Sequence, residues 1–301
     1  MSLKIVRSSD PIKVERLNVC IYAAPGLGKT SLAFTASSPL LLDFDNGAHR
    51  AANRKDIVRV GSWNDVASIT ADDLAPFNTV IVDTAGRALD VLSADIIRRD
   101  AKKGRGGALT LQGYGSLKAE FVAWLKHLNG LGKDVVLIAH MDEQRSGDEI
   151  VERLDVQGGS KGEIYKAADA MGRITIANGK RMLLFSPTDA SFGKNPGELD
   201  PLEIPHKNSP DFADFLDTVI VRIKNHLNYL TEEQVKAQAM LEEWRARIEE
   251  LDGVDAFNAE LPAIKKQPQA VQALFAHAAT VAGLVFDKKA GEYIAPQARV
   301  A

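Results

Sequence analysis

An α/β fold with a mostly parallel central sheet is predicted by three features of the chain. At Val19 to Leu32 (V-C-I-Y-A-A-P-G-L-G-K-T-S-L) a strand-like run leads through a loop of small residues into a helix start. Apolar, β-branched runs recur at 39–43, 77–83 and 134–139, separated by helical stretches and ending in polar or acidic residues. Strands alternating with helices are the pattern of a parallel sheet. Late in the chain, Asn178-Gly179 separates two strand-like runs, 173–177 and 180–185, which signals an antiparallel hairpin with a two-residue turn.

The 301 residues suffice for one large core and a smaller appendage. We divide the chain into a lead-in (1–16), an α/β core (17–205) and a helical C-terminal region (206–301), the last boundary resting on Pro201, Pro205 and a shift to acidic composition. With 45% hydrophobic residues and a formal net charge of -3, the protein has no global attraction for nucleic acid or anionic lipid, so any such contact is local. The single cysteine, Cys20, excludes an intramolecular disulfide and reads as a small buried hydrophobe. No apolar run of 18 residues and no apolar leader occurs, so the expected location is the cytoplasm, without membrane contact.

Leu17 to Ala23 is the first strand and Thr30 to Ala36 opens the first helix. Between them lies the Walker A arrangement, with Ala23 in place of its first glycine. Ala24, Pro25, Gly26, Leu27, Gly28, Lys29, Thr30 and Ser31 form the candidate phosphate cradle. Glycines let backbone N–H groups approach an anion without a Cβ in the way. Lys29 supplies a positive charge and the Thr30 hydroxyl a magnesium ligand, so ATP and Mg2+ are the expected ligands. The next strand ends in Asp43-Phe44-Asp45-Asn46-Gly47. Both aspartates are candidates for positioning magnesium or water, Asp45 the stronger because strand alternation sets it beside the loop.

A short strand, 57–60, precedes a helix from Trp63 to Ile69. The apolar run to Asp83 follows and has the Walker B pattern, with Asp83 opposite Thr30 on the metal. Thr84 either senses the terminal phosphate or caps the next helix, Leu89 to Asp100. That helix runs into a basic, glycine-rich segment containing Arg98, Arg99, Lys102, Lys103 and Arg105. It is either a solvated charge run or a mobile loop that follows a nucleic-acid backbone. Tyr114 either stacks on a base or anchors the following helix, Gly115 to Leu128. The strand at 134–139 ends at His140, a candidate switch, and Met141 to Gly162 reads as a long polar loop carrying Arg145, Arg153 and Lys161. Arg145 and Lys161 are candidates for contacting DNA or a neighbouring subunit's nucleotide.

The ordered set A-A-P-G-L-G-K-T, L-L-D-F-D-N-G, V-I-V-D-T, V-L-I-A-H and the late hairpin resembles the RecA-like ATPases. Specifically, it is similar to the short phage and prophage proteins of the Sak recombinase group, over about Leu17 to Pro205. The resemblance implies an ATP-hydrolysing, single-stranded DNA-binding protein that self-associates, promotes annealing or strand exchange, and meets phage or host replication and recombination proteins. It implies Lys29 and Thr30 as phosphate-loop ligands, Asp83 as the metal-side aspartate, Asp45 as the activator of water, and His140 as the polar switch before the second DNA-binding loop. The basic run would lie near the first such loop. Two departures stand out: Asp45 replaces the usual glutamate, which implies slow hydrolysis or another base, and His140 replaces the frequent glutamine.

In the C-terminal region, Asp211 to His226, Thr231 to Leu251 and Gln267 to Val285 read as three helices. Two other functions fit the phosphate loop: an ATP-regulated helicase loader or adaptor, and a small-molecule kinase using Arg145 and Arg153 in a lid.

Overall fold

The computed structural model describes residues 5–7, 9–146, 149–156 and 161–295. It divides into two compact units, Val14–Leu227 and Met1–Lys13 with Asn228–Ala301.

The larger unit is organised by a sheet whose six central strands run parallel in the order β9 (Ala170–Ala177), β1 (Asn18–Ala23), β7 (Asp134–Ser146), β4 (Thr79–Asp83), β2 (Pro39–Asp43) and β3 (Asp56–Arg59). At one edge β10 (Lys180–Leu184) and β11 (Leu202–Glu203) extend the sheet antiparallel beyond β9. This is the predicted α/β architecture, late hairpin included. Asn178 and Gly179 both take positive φ, 53° and 76°, the geometry a tight two-residue turn demands.

The central strands read as unbroken apolar runs because both faces of the sheet are covered. Cys20, Tyr22, Leu42, Val82 and Leu137 join one core, with Leu89, Leu92 and Ile96 of α3 (Ala85–Arg99) and Leu117, Phe121 and Trp124 of α4 (Leu111–Gly130). Ile21, Leu41, Ile81, Val136 and Ile138 join the other, with Leu32 of α1 (Lys29–Ala33) and Leu216, Val219, Ile220 and Ile223 of α6 (Phe215–Glu249). Two shorter helices, α2 (Asn64–Ala67) and α5 (Lys161–Ala167), complete the unit.

Several elements differ from expectation. Met141 to Gly162 is not a long loop: β7 continues to Ser146 and pairs antiparallel with β8 (Glu149–Leu154), forming a ribbon. Gln157, Gly158, Gly159 and Ser160 lie outside the described residues. α4 begins four residues early because the Thr110 hydroxyl accepts the Gly113 N–H at 3.2 Å. The two helices expected at 211–226 and 231–251 are one, α6, since no glycine or proline interrupts it. The division between compact units therefore falls inside a helix, at Leu227, rather than at the prolines near 205.

The smaller unit adds α7 (Gly253–Ile264), α8 (Gln269–Val281) and a hairpin of β12 (Val285–Asp287) and β13 (Glu292–Ile294). α7 and this hairpin were not expected. Phe257, Phe275 and Tyr293 form its core, with Phe257 and Phe275 ring centroids 5.2 Å apart.

Fully buried Ile223 ties the start of α6 into the larger unit. In a Trp244→Phe background, Trp63 and Trp124 report on that unit alone. Ile223→Ala is expected to lower its stability by about 2–5 kcal/mol in urea unfolding followed by their fluorescence. An unchanged midpoint would place α6 outside this core.

Candidate functional site

The carboxyl ends of β1, β2, β4 and β7 meet at one crevice, as open α/β sheets arrange their ligand sites. β7 lies between β1 and β4, and register pairs Ala23 with His140 and Asp43 with Asp83. Gly26, Gly28, Lys29, Thr30, Ser31, Asp45, Asp83 and His140, far apart in sequence, consequently line a single cavity of about 230 Å³.

The loop after β1 turns on Gly26 and Gly28, with φ of 83° and 80°, and Gly28 caps α1 in the left-handed conformation. Lys29 Nζ folds back and donates to the carbonyls of Ala23 and Ala24, each at 3.0 Å. Burial lowers its pKa to about 8, against the opposing attraction of Asp83 and Asp45. Thr30 Oγ1 donates to Asp83 Oδ2 at 2.8 Å. Asp83 is pushed up to about 6, chiefly by burial; Thr30 and Lys29 oppose this, while the nearby Asp43 and Asp45 add to it. A hydroxyl and a buried carboxylate side by side form an oxygen donor set suited to a hard divalent cation such as Mg2+.

The two aspartates after β2 differ. Asp43 is buried, its carboxylate accepting the N–H groups of Gly47 and Ala48 at 3.0 and 3.1 Å, so it shapes the turn. Asp45 faces the cavity, its side chain 28% exposed, between Arg50 at 3.5 Å and Arg87 at 3.7 Å. Beside it, His140 has its pKa lowered by burial first and by Lys29 second, and its buried Nδ1 has no hydrogen-bond partner among the described residues. Thr84 performs its capping role, accepting the Arg87 N–H at 3.4 Å, and also lines an adjoining cavity with Asp45, Arg87 and His140.

Three arginines around the site had not been singled out as sequence candidates. Arg50 and Arg87 flank Asp45. From β10, Arg181 donates to the Leu27 carbonyl at 3.4 Å and the Pro205 carbonyl at 3.1 Å, lying so close over Gly28 that a Cβ there would meet its Nη1 at 2.7 Å. A larger cavity, about 480 Å³, opens beside Gly28, Ser31, Arg50, Arg181 and Phe212. Only Arg87 left a local signal, four residues after Asp83 in the first turn of a helix.

Of the remaining candidates, Ala24 and Leu27 contribute loop carbonyls and Pro25 stands exposed. The basic residues lie elsewhere. Arg98 and Arg99 are at the far end of 15-residue α3, roughly 20 Å along the helix from Thr84. Both pair with Asp95, and Arg99 also with Glu120. Lys102 and Lys103 lie in a short 3-10 turn, Ala101–Lys103, and Arg105 in the tight hairpin of β5 (Gly104–Arg105) and β6 (Ala108–Leu109) that follows, not in an open loop. Tyr114 is half-buried against the core. Arg145 is exposed on the outer part of β7, and Lys161 begins α5.

A phosphate loop on the first strand of such a sheet, facing a buried aspartate two strands away, defines a P-loop nucleotide-binding ATPase. Residues 15–196 match the family described as AAA domain, more than half of the chain, and the protein belongs to that family. Among solved structures it is similar to a KaiC-like protein from the hyperthermophilic archaeon Pyrococcus horikoshii OT3. The identity is 10%, over 66% of this chain and 97% of that one, with a TM-score of 0.36. No curated protein matches the sequence. Among the described residues no helix is long and apolar enough to cross a membrane.

The shifted pair makes stability depend on pH. Asp83 has a raised folded-state pKa, so its contribution is fully present below the unfolded value of 3.8 and is lost as pH rises through about 6. Lys29 has a depressed one, so its contribution is present above 10.5 and is lost as pH falls through about 8. Both ionised groups therefore cost stability at pH 7. Asp83→Asn is expected to stabilise nucleotide-free protein at pH 7 by on the order of 1–3 kcal/mol, read as a raised thermal midpoint, with the gain vanishing near pH 4. A gain that is equal at both pH values would rule out burial of the charge as its source.

Proposed function

We propose that the protein is a Mg2+-dependent ATPase that binds single-stranded DNA, self-associates along it and promotes annealing or strand exchange, in the manner of the Sak recombinase group. The observation that carries this reading is the continuity of β7. Its buried half ends at His140 in the nucleotide crevice, and its outer half is one strand of the ribbon bearing exposed Arg145. One unbroken strand thus joins the phosphate site to a projecting surface, a route by which nucleotide state reaches DNA.

ATP lies with its phosphates along the loop from Gly26 to Ser31 and its adenosine end in the larger cavity beside Arg181 and Phe212. Lys29 Nζ exchanges the Ala23 and Ala24 carbonyls for phosphate oxygens. Thr30 and Asp83 hold the magnesium, which when bound neutralises charge developing on the phosphates. Arg50, weakly paired with Asp45, and Arg87, paired with Asp45 and Asp90, are largely exposed and turn to the terminal phosphate. Asp45 is thereby released to orient a water and accept its proton as the water oxygen attacks the γ-phosphorus and ADP departs. His140, neutral at pH 7, donates or accepts one hydrogen bond according to whether the γ-phosphate is present, and so sets the start of the ribbon.

Steady-state ATP hydrolysis with and without single-stranded DNA tests this. Stimulation by DNA is expected, with Lys29→Ala lowering turnover by at least about 100-fold. Asp45→Asn is expected to lower turnover while leaving ATP affinity within a few-fold. Hydrolysis that is indifferent to DNA at low salt would overturn the DNA-coupled reading.

A further inference from the structure

The larger cavity beside the phosphate loop, about 480 Å³, carries more positive charge than the nucleoside end of ATP can use. Gly28, Ser31 and Arg50 line both it and the nucleotide crevice, so one ligand can occupy the two. Buried Ile204 and Phe212 give the cavity an apolar floor, which is sufficient for a base. Around that floor stand Lys180, Arg181 and Lys207, and the one carboxylate in the lining is Glu203. Base and ribose are uncharged, and Lys29, Arg50 and Arg87 already answer the polyphosphate.

The three cations differ in how they are held. Lys180 Nζ pairs with Glu203 Oε2 at 2.6 Å, which commits that carboxylate. Arg181 is half-buried and, among the described residues, forms no ion pair: it donates only to the carbonyls of Leu27 and Pro205, at 3.4 and 3.1 Å. Its guanidinium carbon also lies 5.9 Å from the centroid of the Phe212 ring. A guanidinium held by carbonyls alone gains from an anion that can take two of its N–H groups at once. The chain keeps Lys207 close to this group. The Ile204 N–H donates to the Arg181 carbonyl at 2.8 Å, and a turn closed by the Ser209 N–H on the His206 carbonyl, at 2.7 Å, follows directly. Lys207 stands exposed in that turn and forms no ion pair among the described residues. A half-buried fork and an exposed point charge therefore share one cavity, and neither has a carboxylate for a partner.

Resting on the placement of the nucleotide proposed above, we propose that this cavity takes a second phosphate carried on the ribose of the bound nucleotide. The ligand class is an adenosine nucleotide phosphorylated at its 2′ or 3′ hydroxyl. Arg181 supplies a bidentate fork to that phosphate and Lys207 a point charge. The 5′ phosphates of such a nucleotide follow the loop from Gly26 to Ser31, as those of ATP do. It therefore competes with ATP and restrains hydrolysis.

The test measures displacement of radiolabelled ADP from the full-length protein, with Mg2+ present, by adenosine 5′-monophosphate, adenosine 3′,5′-bisphosphate and adenosine 2′,5′-bisphosphate. For wild type, one of the bisphosphates is expected to displace ADP at a concentration about tenfold below that of the monophosphate, the scale of a charge-assisted pair. Which of the two it is gives the ribose position. Arg181→Gln is expected to bring the ratio close to one. Lys207→Ala is expected to reduce it to about threefold or less, as suits an exposed charge, while Lys207→Arg retains it. Lys207 lies in an exposed turn outside the core, so its result stands whether or not Arg181→Gln folds. Equal displacement by all three compounds from wild type, or a preference that survives both substitutions, would overturn the ribose-phosphate site and leave the ATP reading standing. Failure of wild type to bind ADP would overturn both.

Discussion

The contact between Thr30 and Asp83 is the constraint on which the site's geometry turns. It joins the first turn of α1 to the end of β4, two strands away, across 53 positions of sequence. In this sheet β7 separates β1 from β4, and the apolar runs on both strands are buried. The same burial that fixes the strands strips water from Asp83 and Lys29, moving both pKa values toward neutrality. Packing and electrostatics are thus one event here. The strands hold their register because side chains on both faces are covered, and the covered environment makes the strand-end charges responsive to a bound ion.

Where residues act through local pattern, the sequence was readable. The phosphate loop, the apolar strand ending at Asp83 and the Asn178-Gly179 turn each declare themselves within about ten residues, because backbone conformation and strand burial leave signatures at that range. The ribbon of β7 and β8 left none. Its residues, Met141-Asp142-Glu143-Gln144-Arg145 opposite Glu149 to Leu154, are mostly polar and charged, with only Val151 and Leu154 buried among the described residues, so no apolar alternation marks them. Arg181 was hidden for a different reason. Its role depends on the antiparallel addition of β10 beyond β9, which carries it over Gly28, about 150 residues earlier in the chain. α6 was split on paper at 227–230, where Asn228 and Tyr229 have modest helix propensity, yet no glycine or proline is present to end the helix.

Asp43 and Asp45 show how close a motif reading can come while leaving the decision to three dimensions. Both sit at a strand end, and both are acidic. Asp43 spends its two oxygens on backbone N–H groups of the following turn, which keeps a buried carboxylate satisfied and the turn closed. That turn then presents Asp45 to the cavity.

The charges at this crevice are neutralised in a way that a bound anion can exchange. Lys29 is satisfied by two loop carbonyls, while Arg50 and Arg87 share Asp45 at 3.5 and 3.7 Å and Arg87 also pairs with Asp90 at 3.3 Å. None of these partners is a tight, buried, bidentate match, the arrangement that would hold a guanidinium or ammonium against competition. Phosphate oxygens offer each cation a stronger partner, and every cation that changes partner frees an acceptor. For Lys29 the acceptors freed are carbonyls of the loop that wraps the ligand. For Arg50 and Arg87 the shared acceptor is Asp45, with Asp90 as Arg87's second partner. In the reaction proposed above, arrival of a polyphosphate would convert a self-neutralised pocket into one whose cations face the substrate and whose aspartate is open to water.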